Sequence, residues 1–329
     1  MSGPELHKLI DKTTAEVLIL DYFGGLFNRT LSHNHVRRLW AKILIRELGL
    51  KCSIDVFARK RVDAVLFLNN KLGVSECKIP YDTLKDEVLN RLLASGILAP
   101  GQSEVFLRYF EPADLKSQLS AQEVNTGILS ALENAKAIGL KLIILSDCYA
   151  SESLVKSFLK HHGIYHLIDG IYVSGSDSKQ EDKGEIVAHV LSDLKLTPDQ
   201  AVYIRSGNNG KLPKKESNNF DDLKLFLTDE TSEYELETAG NDKADFNKVI
   251  DKTFRACQEK EAPPFSEYII FFQVFIERLY ICARRFNIKT LFFISREGVY
   301  LKRLFDYYQD RCLLSPDDRI QTHYIRMSR

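Results

Sequence analysis

The chain has no excess of either charge: its 45 Lys and Arg residues balance 45 Asp and Glu. No net field draws in a polyanion, which argues against nucleic acid as a partner. Paired cysteines are also missing. Cys52, Cys77, Cys148, Cys257, Cys282 and Cys312 are scattered without a C-x-x-C spacing. Neither a zinc ribbon nor a disulfide framework is expected, and reduced thiols in a cytoplasmic protein are the expected state. No apolar h-region follows Met1, because Glu5, Lys8, Asp11 and Lys12 interrupt the opening residues, so no secretion signal is expected. No apolar run approaches the ~20 residues of a membrane span. The longest apolar segment, Phe265 to Phe286, is broken by Gln273, Glu277, Arg278, Arg284 and Arg285.

What is present is an ordinary globular composition, 44% hydrophobic and 27% charged, neither disordered nor membrane-like. A length of 329 residues suffices for one large or two ordinary domains. The chain is organised around Val17-Leu18-Ile19-Leu20-Asp21, followed by Tyr22-Phe23-Gly24-Gly25-Leu26-Phe27. Four consecutive apolar residues read as a strand buried on both faces, and a carboxylate at its C-terminal end stands where open parallel sheets hold their chemistry. Gly24-Gly25 permits a positive φ and lets backbone N–H groups approach an anion. Asp21 also fits a simpler part as a loop or helix cap.

Helical spacing follows in Asn28 to Gly49, Ile54 to Leu68, Tyr81 to Leu93 and Ala113 to Leu119, a helical module inserted after the first strand. Thr126 to Ala137 is a helix feeding the strand Lys141 to Leu145. A helix closed by His162-Gly163, a strand over Ile168 to Ser174, a helix carrying Ile186, Val187, Val190 and Leu191, and a strand over Ala201 to Ile204 come next. Leu223 to Leu227 fits a sheet-edge strand. Alternation at this spacing predicts an α/β, doubly wound parallel sheet. Residues 228–262 are polar and charged, an exposed connection with one weak helix around Phe246 to Cys257. Phe265 to Phe286 is a long helix suited to burial between layers or against a protein partner. A strand over Thr290 to Ser295, then Arg296-Glu297-Gly298 and a helix through Tyr307, begin a second α/β unit.

Three strand ends align: Asp21, Ser146, and the loop from Arg205 to Lys211, with Lys183 or Lys179 between the last two. An Asp nucleophile, a hydroxyl to hold a phosphoryl oxygen, a charge-neutralising Lys and an acidic loop for Mg²⁺ constitute a phosphoryl-transfer site. Over residues 17–227 the pattern resembles the haloacid dehalogenase-like (HAD) superfamily, within it a bacterial group associated with surface-polysaccharide gene clusters. Leu20 to Arg29 matches the frame of that group's first motif, with Asp21, Phe23, Leu26 and Arg29 in place. Ile144-Leu145-Ser146-Asp147-Cys148-Tyr149 matches the second, and Phe292 to Gly298 is similar to a Ser-Arg-Asp-Gly strand end found beyond the HAD domain.

The resemblance implies a HAD-like Rossmannoid over residues 1–227, with core 12–27 and 138–227 and a helical cap at about 28–125. A charged linker, 228–262, and a partial α/β unit, 263–329, complete the expected division. It assigns catalytic positions to Asp21, Ser146 and Lys183 or Lys179, and phosphate binding to Gly24, Gly25, Ser146 and Asp147. It also exposes departures. The general acid/base position holds Phe23, and the hydroxyl four residues after the nucleophile is Gly25. The metal-carboxylate positions fall on Ser206 and Lys211, the third-motif Lys is off register where Glu181 stands, and a Lys ammonium cannot supply an oxygen shell for Mg²⁺.

The expectation is a degenerate site that binds a phosphorylated small molecule or sugar, or serves as a scaffold, without a metal or other cofactor. The alternatives are an active phosphatase using Asp21 and Mg²⁺, and an interaction module working through Phe265 to Phe286. A magnesium ion held by Asp177, Asp182 or Asp221 would contradict the degenerate reading. Gly207 to Leu212 is no P-loop, because its glycines are too close and no Ser or Thr follows Lys211. His161, His162 and His166 are not expected to bind metal, since two of them end a helix where cations are favoured anyway. Arg296 fits an anion contact and a helix start equally well.

Overall fold

The computed structural model describes residues 3–73, 79–146, 151–173, 183–206, 223–228, 251, 253–257, 266–295 and 297–327. Helix α1 (Gly3–Lys12) precedes β1 (Val17–Asp21) and the short β2 (Phe27–Arg29). Helices α2 (His33–Glu47), α3 (Ile54–Leu72), α4 (Tyr81–Ala94) and α5 (Ser103–Leu119) follow. Strand β3 (Gln122–Val124) then pairs antiparallel with β2 and closes the insertion. Next come α6 (Thr126–Ala137), β4 (Lys141–Ser146), α7 (Glu152–His161), β5 (Gly170–Val173), α8 (Lys183–Leu194), β6 (Ala201–Ser206) and β7 (Lys224–Thr228). The C-terminal elements are α9 (Ile269–Arg285), β8 (Thr290–Ile294), α10 (Gly298–Cys312) and β9 (Gln321–Ile325).

The main sheet has five parallel strands in the order β5-β4-β1-β6-β7. Strand alternation sends Leu18, Leu20, Leu142, Ile144, Val202 and Ile204 toward α1, α6 and α7. It sends Val17, Ile19, Ile143, Leu145, Ala201 and Tyr203 toward α8. Both faces are covered, which is why these strands read as unbroken apolar runs. This is the doubly wound, parallel α/β sheet with a helical insertion that the sequence predicts. Chain order reverses at β1: the strands run outward through β4 and β5, then cross to β6 and β7. The C-terminal end of β1 is therefore the topological switch point, the crevice where such sheets bind ligands.

Other elements depart from the sequence reading. Helix α1 was not foreseen, because one buried i,i+4 pair, Leu6 and Ile10, is all that marks it. Strands β2 and β3, at three residues each, fall below any periodic signal. Helix α5 begins at Ser103, well before the expected Ala113, despite Pro112 inside it. Of the weak helix near Phe246 to Cys257, positions 251 and 253–257 are helical and the others lie outside the described residues.

The chain divides into two compact units, one formed by Met1–Val36, Lys60–Asn90 and Leu115–Thr238, the other by Arg37–Arg59, Arg91–Asp114 and Ala239–Arg329. The first contains the five-stranded sheet. In the second, β8 and β9 pair in parallel, with α10 between them in sequence, and Phe293, Phe305, Tyr280, Tyr308 and Ile276 form their core. Trp40, Phe57, Phe106 and Phe110 make a second aromatic cluster there. Of the two expectations for this helix, burial between layers does not hold for the N-terminal half of α9, which faces outward with Phe271 65% exposed and Ile269, Phe272 and Phe275 beside it also exposed.

A buried ion pair holds this second unit together. Arg46 donates from Nε and Nη2 to Oε1 of Glu47 at 2.9 and 2.8 Å, and from Nη2 to the Cys312 carbonyl at 2.8 Å. The Tyr280 hydroxyl donates to Glu47 Oε2 at 2.8 Å, and burial together with that carboxylate pushes the phenol's pKa up, so it remains a donor. Arg284 donates to the Glu47 carbonyl and to the Tyr109 hydroxyl, which itself donates to Asp318. Residues of α9, α10 and the Pro316–Asp318 turn thus complete the shell around the end of α2. Removing one partner of such a pair leaves a buried charge uncompensated, at about 3–5 kcal/mol. Glu47→Ala is expected to lower the urea unfolding free energy by about that amount; a loss below about 1 kcal/mol, the level of an exposed pair, would contradict the network's role.

Candidate functional site

The site is built at the switch point. Asp21, the last residue of β1, is 3% exposed and continues the parity of Val17 and Ile19, so it faces the α8 side of the sheet. Tyr203 of β6 lies on that same face, and its hydroxyl donates to Asp21 Oδ1 at 2.5 Å. Arg205 shares the parity of Tyr203. It follows Ile204, which pairs with Leu20, so register sets Arg205 across from Asp21, and it too is buried.

The loop after Asp21 folds back over the strand ends. The Leu26 amide donates to the Asp21 carbonyl at 3.0 Å, and the Phe27 amide to the Tyr22 carbonyl at 2.9 Å. Gly24 adopts φ 78°, and its amide donates to the Phe27 carbonyl at 2.9 Å. That amide is engaged within the loop, and what the loop takes from Gly24 is its left-handed backbone. Gly25 meets a different demand. A Cβ there would stand 2.4 Å from the Asp21 carbonyl oxygen and 3.0 Å from that of Ile204, so no side chain fits. The resemblance expects a hydroxyl residue at this position; here the chain passes too close to β1 and β6 for one. Asn125 holds the loop from outside, donating from Nδ2 to the Gly25 carbonyl at 3.3 Å.

Aromatic side chains wall the loop on the other face. Tyr22 packs on Phe23, Phe27 and Phe158 with ring centroids 4.7, 4.8 and 6.0 Å away, and its hydroxyl donates to Gln122 Oε1 at 2.9 Å. The Arg29 guanidinium lies 4.0 Å over the Phe23 ring, which accounts for the Phe and Arg of the first motif as a cation–π pair.

Ser146 ends β4, buried, one residue beyond the Asp21–Leu145 pair. Strand alternation gives it the parity of Ile144, the face opposite Asp21. Lys183 opens α8, the helix covering the Asp21 face, though its side chain lies outside the described residues, as does that of Ser206 at the end of β6. Lys179, Asp147, Lys211, Asp177, Asp182, Asp221, Phe265 and Arg296 also lie outside the described residues. Sequence reasoning passed over Tyr203 and placed Arg205 only as the start of the third strand-end loop. The signal was a phenol needing a hydrogen-bond partner inside an apolar strand, followed two residues later by an Arg on the same face.

Mg²⁺ takes a near-octahedral oxygen shell with one or two carboxylates. Among the described residues no group of three His, Cys, Asp or Glu could hold a metal. The described donor set, one carboxylate with an oxygen already bonded to a phenol and a buried guanidinium across from it, does not fit the ion. The histidines at the end of α7 do not supply such a group either.

No protein-family model and no curated protein matches the chain. Among solved structures it is similar to a predicted phosphoglycolate phosphatase from Haemophilus somnus 129PT. The identity is 18%, the match covers 59% of this chain and 78% of that one, and the TM-score is 0.35. CbbY from Rhodobacter sphaeroides in complex with phosphate matches at 17% identity over 69% and 92%, with a TM-score of 0.40. L-2-haloacid dehalogenase from Xanthobacter autotrophicus matches at 13% over 58% and 69%, with a TM-score of 0.35. At TM-scores below 0.5 these overlaps add nothing to the sheet order, from which the fold class follows.

His162 packs against Phe27 at 5.1 Å, and its Nε2 is buried without a hydrogen-bond partner among the described residues. Burial, and secondarily the neighbouring His161, hold its pKa below the ordinary histidine value. The folded state therefore keeps it neutral, while the unfolded chain protonates it below about pH 6.5. Its contribution is complete above that pH and is lost as pH falls toward the folded pKa. His162→Phe is expected to flatten the fall in melting temperature between about pH 7 and 5; an unchanged slope would assign that fall to other groups.

Proposed function

We propose that this chain is a divergent HAD-like protein whose site holds a phosphate or sugar phosphate, or serves as a scaffold, without hydrolysing it. A place in surface-polysaccharide assembly follows from the sequence resemblance alone. One observation carries the reading: the buried Asp21 carboxylate accepts the Tyr203 hydroxyl at 2.5 Å. A nucleophilic carboxylate must present a free lone pair to phosphorus, and a phenol hydrogen bond opposes that attack. Phe23 has no proton to give the leaving group, which forgoes about 10²–10⁴ in rate. Phosphate is the ligand class that the sequence resemblance implies.

With Mg²⁺ and a panel of phosphomonoesters, the full chain is expected to show no turnover above that of Asp21→Asn. Turnover that Asp21→Asn abolishes would establish the hydrolase alternative instead. A second reading, an interaction module, draws on the exposed Phe271, Phe272 and Phe275 of α9. Contiguous exposed aromatics at this density mark interaction sites. Light scattering tests it: self-association lost in Phe271→Asp supports a second copy as partner, and a monomer at every concentration excludes one.

A further inference from the structure

In the second unit β8 and β9 pair in parallel, Phe292 with His323, Phe293 with Tyr324 and Ile294 with Ile325. Alternation along β8 sends Phe293 into the core, its ring 5.9 Å from that of Phe305 and in one cluster with Ile276 and Tyr280 of α9. Phe292 and Ile294 face the other way, and register sets His323 and Ile325 beside them. Phe292 stacks on His323 at 5.4 Å, yet it is 60% exposed, and Ile294 and Ile325 are exposed with it. Helices α9 and α10 thus cover one face of this sheet and leave the other open to solvent. Parallel strands are found almost only where both faces are covered.

The same unit has an apolar helical segment with nothing packed around it. The N-terminal half of α9 is apolar but for Gln273, and Ile269, Phe271, Phe272, Val274 and Phe275 are all exposed. A helix apolar on every side belongs inside a layered structure. It cannot cover the open face of its own sheet, because the C-terminal half of the same helix is packed on the opposite, Phe293 side.

We propose that a second copy of this chain supplies what each element lacks: about a two-fold axis, the N-terminal half of α9 from each copy lies on the Phe292 and Ile294 face of the other. Such a contact is isologous, since each copy gives one helix and receives one. It rests on the interaction reading above and deepens it by naming the receptor of the helix. The size suits a dimer. Exposed by about half, Phe271, Phe272, Phe275 and Phe292, at ~150–250 Å² each, and the aliphatic residues beside them supply on the order of 700 Å² per copy, close to the ~800 Å² that a standard interface takes from each partner.

Complementation between two impaired copies of the full chain tests it, followed by light scattering over a range of concentrations. The wild type should be a dimer. Phe271→Asp, which spoils the helix, and Ile294→Asp, which spoils the face, should each weaken association by about tenfold or more. Mixed in equal amounts, the two should associate about tenfold more tightly than either alone, because the intact helix of Ile294→Asp meets the intact face of Phe271→Asp. Phe275→Ser and Phe292→Ser, which introduce no charge, take their places if either Asp variant does not fold. Monomeric variants with no recovery on mixing would overturn the proposal. So would Ile294→Asp dimerising like the wild type while Phe271→Asp does not, an outcome that keeps α9 as an interaction element with another receptor. A wild type monomeric at every concentration would overturn the proposal and, with it, a second copy as the partner of α9.

Discussion

A carboxylate buried at the end of the central strand must have its charge satisfied, and the hydrogen bond from Tyr203 to Asp21 is the visible part of how this chain does it. The surrounding backbone is arranged to make that burial possible. Gly25 brings the following loop to within van der Waals reach of the β1 and β6 carbonyls, where any side chain would hold it off. The amides of Leu26 and Phe27 then tie the loop down. Closure of water from the carboxylate is thus a property of the loop's close approach, and the phenol is the donor that the closure leaves in place.

The two compact units solve a similar problem with similar residues. In the second unit Glu47 is buried between the Arg46 guanidinium and the Tyr280 hydroxyl. In the first, Asp21 accepts from Tyr203, with Arg205 across from it in register. Around Glu47 the phenol and the guanidinium together satisfy more lone pairs than an ion pair alone, which is what keeps desolvation from outweighing the attraction. In the second unit the arrangement binds segments distant in sequence, since α2, α9 and the end of α10 all contribute. In the first, the Asp21 carboxylate and its phenol occupy the position at which the fold ordinarily offers chemistry.

Much of the fold was legible because the buried strands are continuous apolar runs and their helices show clear periodicity. Leu142 to Leu145 and Ala201 to Ile204 admit little else. What stayed hidden was short or tertiary. Leu6 and Ile10 are too few to announce α1, and the three-residue β2 and β3 exist because they pair with each other. The outward-facing aromatics of α9 contradict the rule that apolar residues are buried, a rule that does not run in both directions. At the site, Asp21 and the glycine pair could be found from sequence, because a carboxylate after an apolar run is conspicuous. Tyr203 could not be assigned to it, since a tyrosine inside a strand looks like core until the register of β1 and β6 is known. Arg205 was placed among the strand ends of the site, but only as the start of a polar loop and not as a buried residue on the Asp21 face.

The central claim is the proposed one, that the Asp21 carboxylate, buried and bonded to Tyr203, has no capacity to recruit a divalent ion. Titration of the full chain with Mn²⁺, followed by electron paramagnetic resonance, measures that capacity directly. The account predicts that wild type and Asp21→Asn leave the same amount of Mn²⁺ free at every addition. One equivalent bound by the wild type and released in Asp21→Asn would contradict it.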